Sequence, residues 1–266
     1  FAGKSTGTTR WNSTTPTSTV FSLGTDATVN ASGGTYVAYL FAHDAGGFGD
    51  SGADSVISCG SFTTDGSGNA TIDLGWEPQW VLVKSMTAGE QWLIYDNMRG
   101  WVNGSNDQGL SPNTSGAEFS YEARHPLSTG FTFTNGSAST TYIYIAIRRG
   151  PMKTPTDVTT VFDVDLQNGG SFVTTNFPVD LTINARPSAT TNKYASARLT
   201  GGTELLVPNL TDAATTGTYV YFAFDKNNGI EDDNWGSGSS SVYWNFRRAP
   251  GFFDVVALTG TNSATA

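Results

Sequence analysis

Cysteine and histidine are nearly absent from this chain of 266 residues, which has one cysteine and two histidines. Cys59 cannot form an internal disulfide, and its position in the apolar run SVISCG is typical of a small buried thiol. His43 and His125 lie far apart in the sequence and have no HxxxH or cysteine partner, which argues against a histidine-based metal or catalytic site. The sequence therefore gives no sign of a disulfide-stapled scaffold.

Basic residues and long apolar runs are also scarce. The net charge is −9 and the pI is near 4.5, whereas non-specific nucleic-acid binding needs a basic surface. No apolar run approaches the roughly 20 residues of a membrane-spanning helix, and no signal peptide is visible. We therefore expect neither nucleic-acid binding nor membrane insertion. The chain opens on Phe1 instead of Met, so we expect an excerpt or a processed form.

The sequence contains no recognisable catalytic motif. It has no G-x-S-x-G turn that would present a nucleophilic serine, and no glycine-rich phosphate loop between a strand and a helix. A carboxylate pair for glycoside hydrolysis stays open, because the spacing of such a pair is spatial and not sequential. We expect that the protein is not an enzyme.

Short strands joined by small polar turns explain the composition, which has 31 glycines and 12% aromatic residues. The stretch Ser128 to Pro151 is the clearest example. It predicts a strand at residues 130–134, a turn at Asn135-Gly136, and a second strand at residues 141–147, and hence a β-hairpin. The sequence predicts an all-β protein with little or no helix.

Related stretches recur along the chain. Ser18 to Ala42 repeats the predicted hairpin, and RRGP at Arg148 returns as RRAP at Arg247. Such matches in constant order, at offsets of roughly 100 residues, predict two tandem β-sandwich-like repeat units. We expect an N-terminal arm and partial repeat that forms a closing hairpin (1–54), a first full repeat (55–152), and a second, divergent repeat (153–266). The second ends in an opening strand at Phe252 to Leu258, and residues 150–157 are the predicted linker.

Two stretches are candidate ligand sites. Most aromatic residues in strands belong to the core, but Trp101 lies in a loop among glycines, where we expect it to be exposed and able to stack on a sugar. The stretch DKNNGIEDDN is either a solvated acidic turn or a Ca²⁺ site. The expected Ca²⁺ ligands would be Asp225, Asn227, Glu231, Asp232 and Asp233. We expect no other cofactor.

The paired arginines Arg148-Arg149 and Arg247-Arg248 end predicted strands. There we expect them to contact acidic neighbours or the preceding unit, in a structural role.

Residues 75–149 contain the segments GWEPQWVLVKSM, EQWLIYDNMRG, LSPNTSGAE, STGFTFTNGSA and TYIYIAIRR. This succession resembles a repeat of tail-fibre and virion-appendage proteins of tailed bacteriophages, often marine. Residues 18–42 resemble its closing part. Residues 157–266 resemble it only loosely, since Asp180 stands in place of an apolar residue and Asn184 in place of a lysine.

The resemblance implies a structural protein on the surface of a virion, part of a tail fibre that takes part in host attachment. It implies a homotrimer that contacts other virion proteins and a host glycan or receptor, and it brings no catalytic residues. The alternatives are a capsid decoration or head-fibre protein, a carbohydrate-binding adhesin module, and, last, a capsule depolymerase.

Overall fold

The computed structural model describes residues 7–87, 89–102, 107–121, 124–168, 171–201, 204–216, 222–232 and 240–256. Within these ranges the chain forms 18 strands, one single-turn α-helix and two short 3-10 helices. The predicted all-β class is confirmed. No helix in the described part of the chain is long and apolar enough to cross a membrane.

Nine strands between residues 57 and 148 form the body that we call the first sandwich. They are β1 (Ile57–Thr63), β2 (Ala70–Asp73), β3 (Pro78–Ser85), β4 (Leu93–Asp96), β5 (Asp107–Leu110), β6 (Phe119–Tyr121), β7 (Pro126–Leu127), β8 (Gly130–Phe133) and β9 (Thr141–Arg148). One antiparallel sheet has the order β1-β9-β3-β4-β5-β6, and the other has the order β2-β8-β7.

The core of the first sandwich lies between these two sheets. Successive side chains of a strand point to opposite faces, so Val81 and Val83 of β3 lie on one face, as do Phe131 and Phe133 of β8. All four side chains are at most 1% exposed. Tyr142 of β9 packs against Phe133 with ring centroids 4.7 Å apart. Side chains from both sheets thus form one apolar cluster.

The β-hairpin predicted around Asn135-Gly136 is wrong, because β8 and β9 lie in different sheets. Asn135 does adopt the left-handed conformation that favours a turn, with a φ of 54°. The turn, however, does not close on itself. The backbone N–H of Gly136 donates to the carbonyl oxygen of Gly68, in the loop between β1 and β2, at 3.0 Å. The connection is therefore an arch that carries the chain from one sheet to the other.

Nine further strands form a second set, which we call the second sandwich. They are β10 (Phe162–Asn168), β11 (Phe172–Thr174), β12 (Leu181–Ala185), β13 (Tyr194–Ala197), β14 (Glu204–Leu205), β15 (Thr215–Thr216), β16 (Phe222–Ala223), β17 (Gly229–Asp232) and β18 (Ser240–Phe246). The sheets have the orders β10-β18-β12-β13, β11-β17-β16 and β14-β15. The two 3-10 helices are Val158–Thr160 and Arg198–Thr200.

The four-stranded sheet follows the same chain order as part of the six-stranded sheet. In each, the first strand pairs with the last, the last with the third, and the third with the fourth. The registers correspond as well, since Trp80 lies opposite Ile147 in the first sandwich and Leu181 lies opposite Phe246 in the second. These registers define equivalent positions in the two sheets. They shift the sequence comparison by one residue, so that Asn184 corresponds to Val83 and not to the lysine, Lys84.

Equivalent inward positions differ in polarity between the two sandwiches. Val81 and Val83 of the first sandwich correspond to Thr182 and Asn184 of the second, and all four are buried. Neither side-chain amide atom of Asn184 has a hydrogen-bond partner among the described residues. A buried amide without partners is destabilising, because it loses its hydrogen bonds to water on folding.

Replacing Asn184 with valine, the residue at the equivalent position of the first sandwich, is therefore expected to stabilise the protein by about 1–2 kcal/mol. Urea unfolding of the purified chain would measure this difference. Asn227→Val at an exposed position is the matched control, and its effect should stay within about 0.5 kcal/mol. A loss of stability in Asn184→Val would show that the amide contributes favourably to the core.

Residues 7–42, which we call the N-terminal arm, contain no strand, so the closing hairpin predicted for residues 18–42 does not form within this chain. The arm has one helical turn, α1 (Ala27–Asn30). Asp26 caps this turn by accepting the backbone N–H of Thr28 at 2.8 Å. Residues 35–42 have the composition of a strand and yet no regular secondary structure.

Candidate functional site

Trp101 is a core residue, so its predicted role in sugar stacking is wrong. The side chain is 1% exposed and contacts the rings of Tyr95 and Phe131. Its indole N–H donates to the carbonyl oxygen of Arg124. The preceding residue, Gly100, has a φ of 93°, a conformation that lets the chain turn and direct the indole inward. Gly100, one of the glycines that indicated an exposed loop, instead allows this inward turn.

The described residues of the predicted Ca²⁺ site do not converge on one point. Lys226 lies between Asp225 and Glu231, with its Nζ atom 3.3 and 3.5 Å from their carboxylate oxygens. Asp232 points the other way, because neighbouring residues of β17 face opposite sides. It is buried and accepts a hydrogen bond from the hydroxyl of Tyr243 at 2.6 Å.

Asp233, the fifth predicted ligand, lies outside the described residues. Within the described ranges, no group of three or more histidine, cysteine or acidic side chains is placed to bind a metal ion. The solvated acidic turn predicted as the alternative describes only the first part of this stretch, where Asp225, Asn227 and Asn228 are exposed. Gly229 to Asp232 form strand β17, in which Asp232 is buried.

An ion pair joins the two sandwiches. Glu77, just before β3, accepts two hydrogen bonds from the guanidinium group of Arg248, which follows β18. The distances are 2.7 Å from Nη1 to Oε2 and 2.5 Å from Nη2 to Oε1. Two parallel bonds between planar groups fix their orientation as well as their distance. The contact therefore holds the beginning of β3 against the end of β18.

Asp180 connects further arginines to this pair. Its carboxylate accepts the backbone N–H of Arg248 at 2.7 Å and lies 3.5 Å from Nε of Arg198. It also lies 3.6 Å from Nη1 of Arg149, which follows β9 of the first sandwich. We call Glu77, Arg149, Asp180, Arg198 and Arg248 the arginine joint. Each sandwich contributes both acidic and basic side chains to the joint, so the joint belongs to neither sandwich alone.

Burial determines the electrostatics of the joint. It lowers the pKa of Arg198 to about 10, although Asp180 acts in the opposite direction. The side chain is therefore still protonated at neutral pH. Burial also lowers the pKa of Arg149, again against the effect of Asp180. Two buried arginines, Arg198 and Arg248, and the partly buried Arg149 share the carboxylates of Glu77 and Asp180, so each carboxylate compensates more than one positive charge.

The expectation that the arginine pairs contact acidic neighbours is confirmed for Arg148, Arg149 and Arg248. The second member of each pair, Arg149 and Arg248, lies in the joint, and Arg148 binds Asp54 at 3.0 Å. Sequence reasoning did not identify Asp180 or Arg198 as site residues. The available signal was Asp180, an acidic residue where the similar phage repeat has an apolar one.

The N-terminal arm presents a large apolar surface. Val37, Tyr39 and Leu40 are 78%, 83% and 76% exposed, and Trp11 is about half exposed. A groove of about 940 Å³ runs between these residues and Phe21. Contiguous exposed apolar surface of this kind marks an interaction site. The arm thus has the exposed aromatic residues that the sequence suggested at Trp101.

Comparison with known proteins gives one match. The model of a family described as a domain of unknown function (DUF7483) matches residues 2–151, which include the N-terminal arm and the first sandwich. No curated protein matches the chain. No solved structure matches it either.

Proposed function

Since the chain belongs to the DUF7483 family, whose function is unknown, we propose a function from its own residues: it is a structural protein of a tailed-bacteriophage virion. In this proposal it forms part of a tail fibre or related appendage on the particle surface and takes part in host attachment. It assembles as a homotrimer with other virion proteins and contacts a host glycan or receptor.

The arginine joint is the observation that carries this proposal. A fibre has to hold successive domains in a fixed orientation so that its distal end reaches the host. Charged groups that are buried and hydrogen-bonded on both sides of a junction oppose its bending, because bending would leave a buried charge without its partner. The bidentate contact between Glu77 and Arg248 has this geometry. The resemblance of residues 75–149 to phage appendage repeats supports the same proposal.

A second candidate is a carbohydrate-binding adhesin module, favoured by the exposed aromatic residues of the arm. Trp11, Tyr36 and Tyr39 are each close to half exposed or more. Aromatic rings can stack on the apolar faces of sugars, so these three side chains could bind a glycan. Aliphatic side chains such as Val37 and Leu40 are interspersed with them, which makes the surface a poorer fit to a sugar than to another protein.

Electron microscopy of phage particles labelled with a gold-conjugated antibody to this chain tests the proposal. Labels along the tail, in multiples of three copies, are the expected result. Labels spread over the capsid would contradict the fibre assignment and favour a decoration protein. Unlabelled particles, together with binding of the free protein to a glycan array, would favour the adhesin module.

A further inference from the structure

Residues 35–42 of the arm have the sequence of a strand that is central in the first sandwich. They read TYVAYLFA, and β9 reads TYIYIAIR. In β9 the strand lies between β1 and β3, hydrogen-bonded along both edges, and Tyr142 is 1% exposed. The equivalent residue of the arm, Tyr36, is 46% exposed.

The turns that precede the two stretches each contain the same kind of hydrogen bond. The hydroxyl of Tyr142 accepts the backbone N–H of Ser137, five residues earlier, at 3.0 Å. The hydroxyl of Tyr36 accepts the backbone N–H of Ala31, also five residues earlier, at 2.7 Å. The likeness therefore extends from sequence to local structure, and the arm already has the turn from which β9 begins.

What the arm lacks is a sheet. No backbone N–H or carbonyl of residues 35–42 is hydrogen-bonded to another described backbone group. Both faces of the stretch are apolar, since Val37, Tyr39 and Phe41 alternate with Tyr36 and Leu40. An unpaired segment with strand-forming side chains is a template for pairing with another chain.

A complementary segment follows the second sandwich. Phe253-Asp254-Val255 repeats Phe162-Asp163-Val164, the beginning of β10. Strand β18 has the place in the second sandwich that β9 has in the first, and β10 is its antiparallel partner. The start of β10 is therefore the kind of segment that pairs with a strand like β9. Residues 252–256 belong to no regular strand in the described structure, although Phe253 forms an isolated antiparallel bridge with Ala249 of the same chain. Phe252 and Val256 are exposed. The described part of the chain thus contains one segment of each type that belongs to no sheet.

We propose that residues 38–42 pair, as an antiparallel strand, with Phe252 to Val256 in a second copy of the chain. The register of β10 with β18, in which Phe162 lies opposite Phe246 and Val164 opposite Trp244, carries over to this pair. It places Phe41 opposite Phe253 of the second copy and Tyr39 opposite Val255. The proposal rests on the proposed structural function, because it supplies the contact by which such a protein assembles.

Charge supports a second copy as the occupant. The arm and the six residues before it contain Lys4, Arg10 and Asp26 as their charged residues, for a net charge of +1, whereas the whole chain has a net charge of −9. An arm of weakly positive charge is attracted to the acidic body of another copy. Asp254, in the receiving segment, is 71% exposed and available to this attraction.

Disulfide trapping of the complete chain tests the register. In a Cys59→Ser background, Tyr39→Cys and Val255→Cys are prepared as separate proteins, mixed and oxidised. We expect a disulfide-linked dimer of twice 28.1 kDa in the mixture. Val158→Cys, at an exposed valine outside both segments, replaces Val255→Cys in the control mixture and should give little dimer. Equal dimer in both mixtures, or none in either, would overturn the proposal.

Sedimentation velocity of Leu40→Glu gives a second readout. Leu40 is exposed, so this variant should keep the unfolding temperature of the wild type while its self-association is lost. Wild-type protein that sediments as a single chain at every concentration would refute the pairing. So would a variant carrying both Tyr39→Cys and Val255→Cys that forms its disulfide only within one chain. Particle labelling is independent of these results, so the virion assignment and the strand pairing can fail separately.

Discussion

Replacing Asp180 with alanine is expected to destabilise the folded chain by about 3–5 kcal/mol, the cost of removing one partner from a buried ionic network. Asp180 is buried, accepts the backbone N–H of Arg248, and lies within 3.6 Å of Arg149 and Arg198. Without this carboxylate, Arg149 and Arg248 would still contact Glu77, whereas the buried guanidinium group of Arg198 would lose the carboxylate that lies 3.5 Å from its Nε atom. Equilibrium unfolding in urea, followed by tryptophan fluorescence and by circular dichroism, would measure the loss.

The control for this variant is Asp254→Asn. Asp254 also lies near Arg248, at 3.7 Å, but its side chain is largely exposed to water. Exposed ion pairs contribute little, so the change should cost no more than about 1 kcal/mol. If the two variants lost equal stability, proximity to Arg248 and not burial would determine the effect, and the structural importance assigned to Asp180 would be wrong.

The Asp180→Ala variant can also show whether the two sandwiches unfold separately or together. If Asp180 holds the two sandwiches together, its removal should make their unfolding less cooperative, and the two spectroscopic probes should report different midpoints. A single shared midpoint at lower urea would instead indicate that the sandwiches unfold as one unit even without the carboxylate.

The strands were the part of the fold that the sequence predicted well. The strands predicted at residues 130–134 and 141–147 correspond to β8 and β9, because alternating apolar residues encode one buried face directly. Which strands pair was less predictable. Asn135-Gly136 favours a turn, but whether the chain returns within one sheet or crosses to the other depends on Gly68, a residue distant in sequence.

The site was harder to predict than the strands. The buried carboxylate of Asp180 is compensated by three arginines that come from separate parts of the chain. No local sequence pattern predicts that these residues meet. The proposed Ca²⁺ ligands failed for a local reason. The sequence places Glu231 and Asp232 side by side, whereas the strand that contains them directs the two carboxylates to opposite faces.

Trp101→Ala is expected to cost about 3–5 kcal/mol of folding stability, the usual range for removing a large aromatic side chain from a core. The indole packs against Tyr95 and Phe131, and its N–H satisfies the carbonyl oxygen of Arg124. The truncation therefore leaves both a cavity and a buried acceptor without its donor. Thermal and urea unfolding would measure the effect.

Trp92→Ala is the matched control, since this tryptophan is partly exposed and its loss should cost much less. Trp101→Phe divides the effect further. It keeps most of the apolar volume and removes only the N–H donor, so it should cost about 1–2 kcal/mol, the penalty for one unsatisfied buried group. A Trp101→Ala variant that kept wild-type stability but lost binding to a glycan would contradict the core assignment. The reverse pattern, lost stability with unchanged glycan binding, is expected because the side chain has no exposed face on which a sugar could stack.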